Sequence, residues 1–379
     1  MEKYSTLAKA RGFVRKIPVP LLAIASLLVS GEAFAVTYLK ADANEGGDGT
    51  SWETAYRNVE EAVKAALKTE DKTVYAAEGL YVVTNAMEVT DGFAIYGGFP
   101  GLAMDETPEC RDVDKYRTVL TGDLELNDYW IHVEPVFGSY NLKFTYLHDN
   151  SLFIDGVLQM PPPYQGDYDN YYAFPAGERG EQAFKVGEEA GAIFDGLWFS
   201  GFFKEASIEI LQSEKQTAVH GCRFIGNYPS AGQVHDSSGK ALISSCLFLF
   251  SWTTNRGAGV WGVGSTKIVD CLFEGHSRSN PLTGGVISFL NADKAVVERC
   301  VFTRCQGATL HTDWAEGSYG GPGTILSVEQ GKECSSLLDL DFRLRRFQLL
   351  HGESISGRSS LYLDAGWCHS PLHFPGQPL

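Results

Sequence analysis

Ala192-Ile193-Phe194-Asp195-Gly196-Leu197-Trp198-Phe199 is the first of five versions of one phrase. Thr217-Ala218-Val219-His220-Gly221-Cys222-Arg223-Phe224 and Ala241-Leu242-Ile243-Ser244-Ser245-Cys246-Leu247-Phe248 follow. Thr266-Lys267-Ile268-Val269-Asp270-Cys271-Leu272-Phe273 and Ala295-Val296-Val297-Glu298-Arg299-Cys300-Val301-Phe302 complete the set. The closing phenylalanines lie 25, 24, 25 and 29 residues apart. A fixed period of this size marks units that cannot bury their apolar faces alone and must stack on one another.

Within the phrase, small or apolar residues recur at positions 1, 3, 6 and 8. Positions 1 and 3 keep the two-residue alternation of a strand, and so do 6 and 8. The three-residue step from 3 to 6 breaks parity, so the chain must bend between two short strands that both point inward. The residue at the bend is Gly196, Gly221, Ser245, Asp270 or Arg299, mostly turn-tolerant types. Ile208-Glu209-Ile210, Gln233-Val234-His235, Gly259-Val260-Trp261 and Gly285-Val286-Ile287 supply another short β run before each later phrase. Several short strands per period predict an all-β solenoid, a right-handed parallel β-helix. Hairpins of a β-sandwich would not hold Cys and Phe in one register.

These units resemble those of secreted right-handed β-helix proteins of pectin-lyase-like architecture. They are also similar to the repeats of polymorphic outer-membrane autotransporters, which carry Gly-Gly-Ala-Ile and Phe-x-x-Asn. Here Gly284-Gly285-Val286-Ile287 approximates the first motif, and Phe224 to Asn227 keeps the second. The N-terminal region adds to the likeness. Gly47-Asp48-Gly49-Thr50-Ser51-Trp52, then Val74-Tyr75-Ala76-Ala77-Glu78-Gly79-Leu80-Tyr81, resembles the cap of secreted bacterial β-helix proteins. So do Ile95-Tyr96-Gly97-Gly98-Phe99-Pro100-Gly101 and Arg117-Thr118-Val119-Leu120-Thr121-Gly122-Asp123. The likeness covers roughly 36–314 and implies an architecture; a fold hosts many activities and does not choose among them.

Residues 1–35 read as a secretory signal peptide. Lys9, Arg11, Arg15 and Lys16 precede an apolar segment from Pro20 to Ser30, and Ala33-Phe34-Ala35 is a cleavage site. Export to the cell surface or the medium is expected, with no transmembrane span in the mature chain, since the apolar run is far short of the roughly 20 residues a spanning helix needs. The formal charge of −16 becomes −19 once a leader carrying five positive and two negative residues is removed. Such a surface repels phosphate backbones, so nucleic acid is not an expected partner.

Residues 36–70 read as an N-terminal cap, a short strand followed by an amphipathic helix over 54–67 with Val59, Ala62, Val63, Ala66 and Leu67 on one face. Between them, Asp42, Asn44, Gly47, Asp48 and Glu53 fall at calcium-loop positions 1, 3, 6, 7 and 12. Gly46 and Gly49 stand where a ligand and an apolar residue are wanted, so a Gly-rich turn is the expectation. Calcium is the one cofactor this pattern leaves open. Residues 71–330 carry the β-helix, and 331–379 form an irregular tail without the repeat, as a truncated or frame-shifted end of a longer repeat protein would.

Near 158–190 the rhythm lapses. Pro161-Pro162-Pro163 stiffens the chain, and Tyr164, Tyr168, Tyr171, Tyr172 and Phe174 alternate with Asp167 and Asp169. Long excursions are where such scaffolds place function. Tyr164, Tyr168, Tyr171 and Tyr172 are therefore the candidate ligand contacts, and their rings are expected to be dispensable for folding. The alternative is a loop simply folded on the surface of the stack.

Four cysteines, Cys222, Cys246, Cys271 and Cys300, share one inward slot. Stacked strands lie about 4.8 Å apart, wider than the roughly 3.8 Å between Cβ atoms that a disulfide prefers. Buried free thiols are expected, and no zinc-type spacing suggests a metal. Glycoside hydrolysis needs two carboxylates about 5–9.5 Å apart. The outward row Trp198, Arg223, Leu247, Leu272 and Val301 holds no acid, and Asp195 and Glu298 are four repeats apart. His220, His235 and His276 fall at different places in the repeat and read as surface or turn residues. No catalytic residue emerges. A non-catalytic binding or structural element for a polysaccharide or an envelope protein is the first reading; a polysaccharide lyase or glycoside hydrolase on the same scaffold is the alternative.

Overall fold

The computed structural model describes residues 36–102, 110–135, 142–163, 170–230, 232–253, 257–278, 286–290, 295–303 and 326–329. The expected leader, Tyr164, Tyr168 and the tail beyond 330 lie outside them. The chain is β-rich, with one helix among the described residues. Three long parallel sheets dominate, of eight, seven and seven strands. After Ala192–Asp195 in the first sheet, Leu197–Ser200 joins the second and Ile208–Ile210 the third. Ala218–His220 then returns to the first. The later repeats follow the same circuit.

The positions that alternation assigned to the interior form the core. Phe194, Val219, Ile243 and Ile268 are fully buried in the first sheet. In the second, Phe199, Phe224, Phe248 and Phe273 are paired in register. Their ring centroids lie 4.9, 4.8 and 4.8 Å apart, with interplanar angles of 9°, 3° and 4°. Strand spacing alone sets this stack, because parallel neighbours hold equivalent Cβ atoms one strand apart.

The bend is a left-handed residue in every repeat. Gly196, Gly221, Ser245, Asp270 and Arg299 have φ of 71°, 59°, 55°, 56° and 53°. One such residue turns the chain so that positions 3 and 6 both face the core. Left-handed backbone costs an L-residue roughly 1–2 kcal/mol, partly offset by the unfolded-state freedom of glycine. Ser245→Gly should raise the urea midpoint by an amount equivalent to about 0.5 kcal/mol, whereas Ser245→Val should lower it.

Cys222, Cys246 and Cys271 are buried free thiols and Cys300 is half-buried. Their sulfurs lie 3.4, 3.3, 3.2 and 3.4 Å from the carbonyl oxygens of His220, Ser244, Val269 and Glu298. Burial pushes the Cys222 and Cys271 thiols well above their usual range. Lack of solvent access opposes alkylation of all three buried thiols, and low thiolate content adds to it at Cys222 and Cys271. Iodoacetamide should label Cys222, Cys246 and Cys271 only after denaturation, as mass spectrometry of the peptides would show; labelling of the native chain would contradict the packing.

The helix is Val59–Ala66, shorter at its start than the apolar pattern predicted. Asn58 sets that boundary: its extended backbone and a side-chain oxygen accepting from Glu61 N at 3.1 Å make it the N-cap. Val59, Ala62, Val63 and Ala66 are buried against the strands Thr37–Leu39, Thr73–Ala77 and Met87–Val89.

The departure from the three-sheet circuit begins earlier than the sequence rhythm suggested. Tyr129–Pro135 sits between Asn170–Phe174 and Leu142–Ser151 in a small antiparallel sheet. The circuit resumes at Phe184–Val186 in the third sheet. Antiparallel and parallel strands share the two-residue alternation, so the pattern of 129–151 alone does not separate them.

Candidate functional site

Alternation sends the excursion tyrosines to opposite faces of Asn170–Phe174. Tyr171 joins Trp130, Leu152, Phe153 and Leu158 against Val119, Trp198, Ile225 and Leu249 on the outer side of the second sheet. Tyr172 packs with Ile131 and Trp252. Their exposures are 2% and 7%, and the Tyr171 hydroxyl donates to Pro163 O at 3.2 Å. These two rings are a satellite core, not surface for an incoming ligand, which corrects the expectation that they are dispensable for folding. Each fills space between the excursion and the repeat stack, so Tyr171→Ala or Tyr172→Ala should cost about 3 kcal/mol in denaturant titrations, the scale of other large aromatic truncations.

A different aromatic row stands beside them. Phe203 and Tyr228 lie in the paired two-residue strands Phe203–Lys204 and Tyr228–Pro229. Their rings stack at 5.0 Å and 25°. Tyr172 links this row to Trp252, at 6.3 Å from Tyr228 and 4.8 Å from Trp252. Tyr129 and Phe174 face each other at 5.3 Å on the same side of the antiparallel sheet. Phe203, Tyr228, Tyr129 and Phe174 are all half-buried. This leaves partial ring faces in contact with water while their backs are fixed by packing.

Charged groups border the rings. The Arg179 guanidinium lies 5.3 Å from the Phe203 ring and pairs with Asp128 at 3.0 and 3.4 Å. Asp128 is buried and also accepts from Ala176 N at 2.7 Å. Its carboxyl is pushed up to about 6 by burial and by the neighbouring Asp123, with Arg179 opposing. Asp123 is itself fully buried and accepts from Asp128 N at 2.9 Å. Lys204 and Glu181 pair at 2.7 Å on the exposed margin. Rings with water-facing sides and a fixed guanidinium suit ligands that present both apolar C–H faces and hydroxyls.

The row was legible in one respect. Phe203, Tyr228 and Trp252 each follow the closing phenylalanine of a repeat by four residues. Its neighbours Arg179, Tyr129 and Phe174 carry no such signal, because only the docked excursion brings them alongside.

The outer face of the third sheet aligns Glu88, Lys185, Glu209, His235 and Trp261 in register. His235 stacks on Trp261 at 4.3 Å and 3°, with Nε2 3.1 Å from Ser237 Oγ and Nδ1 3.8 Å from Glu209. Burial lowers the His235 pKa below its usual value. Glu88 and Glu209 are two strands apart, about 9.6 Å along the stack, with Lys185 between them. This column is not legible from the row beside the cysteines, because its residues sit in the short runs that precede the phrases.

In the 42–53 loop, Asp48 is the acceptor of the turn. It receives hydrogen bonds from Thr50 N at 3.0 Å, Thr50 Oγ1 at 2.8 Å and Thr54 Oγ1 at 2.7 Å, which hold its carboxyl down to about 2. Asp42 pairs with Lys40 at 3.4 Å. Among the described residues, no three His, Cys, Asp or Glu side chains are grouped to hold a metal ion. No helix of the described residues is long and apolar enough to cross a membrane. No protein-family model, no curated protein and no solved structure matches this chain.

Proposed function

We propose that this chain is an exported right-handed parallel β-helix whose helix closes one end, and that it binds a polysaccharide or an envelope partner rather than cleaving glycosidic bonds. The architectural part is supported by three parallel sheets visited in turn and by left-handed bends at one position of every repeat. The observation that carries the function is the half-buried Phe203–Tyr228 stack beside Arg179. Pyranose rings offer C–H faces to aromatic rings and hydroxyls to flanking charges. A rigid row also loses little conformational freedom on binding.

The test is retention of the chain on immobilised acidic and neutral polysaccharides, wild type against Phe203→Ser/Tyr228→Ser. Loss of two ring contacts should weaken retention about tenfold, equivalent to 1.4 kcal/mol, with an unchanged circular dichroism spectrum. A double variant retained as strongly as wild type would refute the site. Hydrolysis or β-elimination is the second reading, favoured by Glu88 and Glu209 on the third sheet. Reducing ends or unsaturated products that vanish in Glu209→Gln would replace the first reading with it.

A further inference from the structure

Position 4 of the repeated phrase reads Asp195, His220 and Ser244 in three successive strands of the first sheet. The register pairs Asp195 with His220 and His220 with Ser244. All three therefore project from one outer column. The His220 Nδ1 atom lies 2.9 Å from Ser244 Oγ. His220 is exposed and Ser244 half-buried, so a substrate can reach both. Asp195 does not complete a triad: its carboxylate is 2.7 Å from an Arg111 guanidinium nitrogen. The next outward column, two residues earlier, is apolar, with Ile193 at 38% exposure beside Ala218 and Leu242.

We propose that Ser244 and His220 form a nucleophile–base pair that hydrolyses short-chain acyl esters, with the acyl group against Ile193, Ala218 and Leu242. With the imidazole proton on Nε2, Nδ1 accepts the Ser244 hydroxyl and takes its proton as Oγ attacks the ester carbonyl. The new Oγ–C bond replaces the ester C–O bond, and the proton passes from Nδ1 to the departing alcohol oxygen. Water then attacks the acyl-serine, giving its proton to Nδ1 and returning the serine hydroxyl with release of the carboxylic acid. A dyad without an orienting carboxylate favours slow turnover with accumulation of acyl-enzyme. This activity goes beyond ligand binding and does not depend on the Phe203–Tyr228 row.

A fluorophosphonate probe, with peptide mapping, and p-nitrophenyl acetate hydrolysis test it together on the full chain. Wild type should be labelled at Ser244 and show a burst of nitrophenol. Ser244→Ala should lose both, and His220→Asn should slow labelling at least tenfold. Both residues face outward, so neither variant should shift the thermal melt. Absence of label at Ser244, or equal labelling in His220→Asn, would overturn the proposal. So would hydrolysis that survives in Ser244→Ala and disappears in His220→Asn, since that is the behaviour of a bare imidazole.

Discussion

Phe248→Ala should lower the unfolding free energy by about 3–5 kcal/mol, the cost of truncating a buried aromatic and leaving a cavity. Phe248 is fully buried between Phe224 and Phe273, 4.8 Å from each and within 4° of parallel to both. The gap cannot close by collapse. Each neighbouring ring stands on a strand whose height in the stack is fixed by backbone hydrogen bonds to Phe248's own strand. Two ring–ring contacts, each worth about 0.5–1.5 kcal/mol beyond burial, disappear together. Because stability in stacked repeats is carried by neighbour interfaces, both adjoining repeats are weakened. Leu247→Ala is the control, since Leu247 precedes Phe248 but is half-buried on the outer side. Urea titrations followed by circular dichroism should separate the two by about 2 kcal/mol or more, from the cavity cost alone. Equal losses would mean the stack contributes no more than an outward side chain.

The repeat made the interior legible because inward slots must be filled in every circuit. Alternation found Phe194, Val219, Ile243 and Ile268, and the parity break located the left-handed bend. The outer faces were harder, for a physical reason. Alternation says that a side chain points out, but not whether another part of the chain will cover it. Val119, Trp198, Ile225 and Leu249 all point out, and the excursion buries them; its own Tyr171 is buried with them. The same limit hid the Asp195–His220–Ser244 column, which was readable position by position but gained meaning only from a 2.9 Å contact.

Motifs divided in the same way. The single Phe-x-x-Asn has a clear structural use: Asn227 donates to Phe199 O and accepts from Phe202 N, each at 3.0 Å, one repeat earlier. His276 occupies the equivalent corner, with Nε2 3.0 Å from Phe248 O. Burial lowers its pKa to about 4, so the neutral ring is the folded form. Phe202 fills the same corner of the first repeat with a buried ring, so the corner takes either a hydrogen-bonding or an apolar side chain. One asparagine is therefore a weak sequence signal for that position.

Asp236→Ala is the other large loss, and no hydrophobic pattern foretells it. Asp236 aligns with Ile210 and Gly262 on the core side of the third sheet, where apolar residues are the rule, yet it is fully buried. Five hydrogen bonds account for this. One carboxylate oxygen accepts from Ser238 N at 3.0 Å, Ser238 Oγ at 2.6 Å and Gly239 N at 3.1 Å. The other accepts from Ala241 N at 3.0 Å and Thr266 Oγ1 at 2.7 Å. The turn leading into one first-sheet strand is thus tied to the threonine that opens the next repeat. Gly262 makes room, because a Cβ there would come within 2.7 Å of Thr266 Oγ1. Removing the carboxylate strands three backbone N–H groups, each costing about 1–3 kcal/mol when buried without a partner. Thr266 loses least, since its hydroxyl also lies 2.8 Å from Val263 O. Relief of a buried charge offsets part of this, and the net loss should be about 3–5 kcal/mol, as for other broken buried charge networks. Asp236→Asn keeps one accepting oxygen but turns an amide NH2 toward donors, so it should fall between wild type and Asp236→Ala. Urea midpoints of the three proteins give the order directly. An alanine variant within 1 kcal/mol of wild type, well below the cost of one buried unpaired network, would show that water or a rebuilt turn replaces the carboxylate, and that the tie between repeats is dispensable.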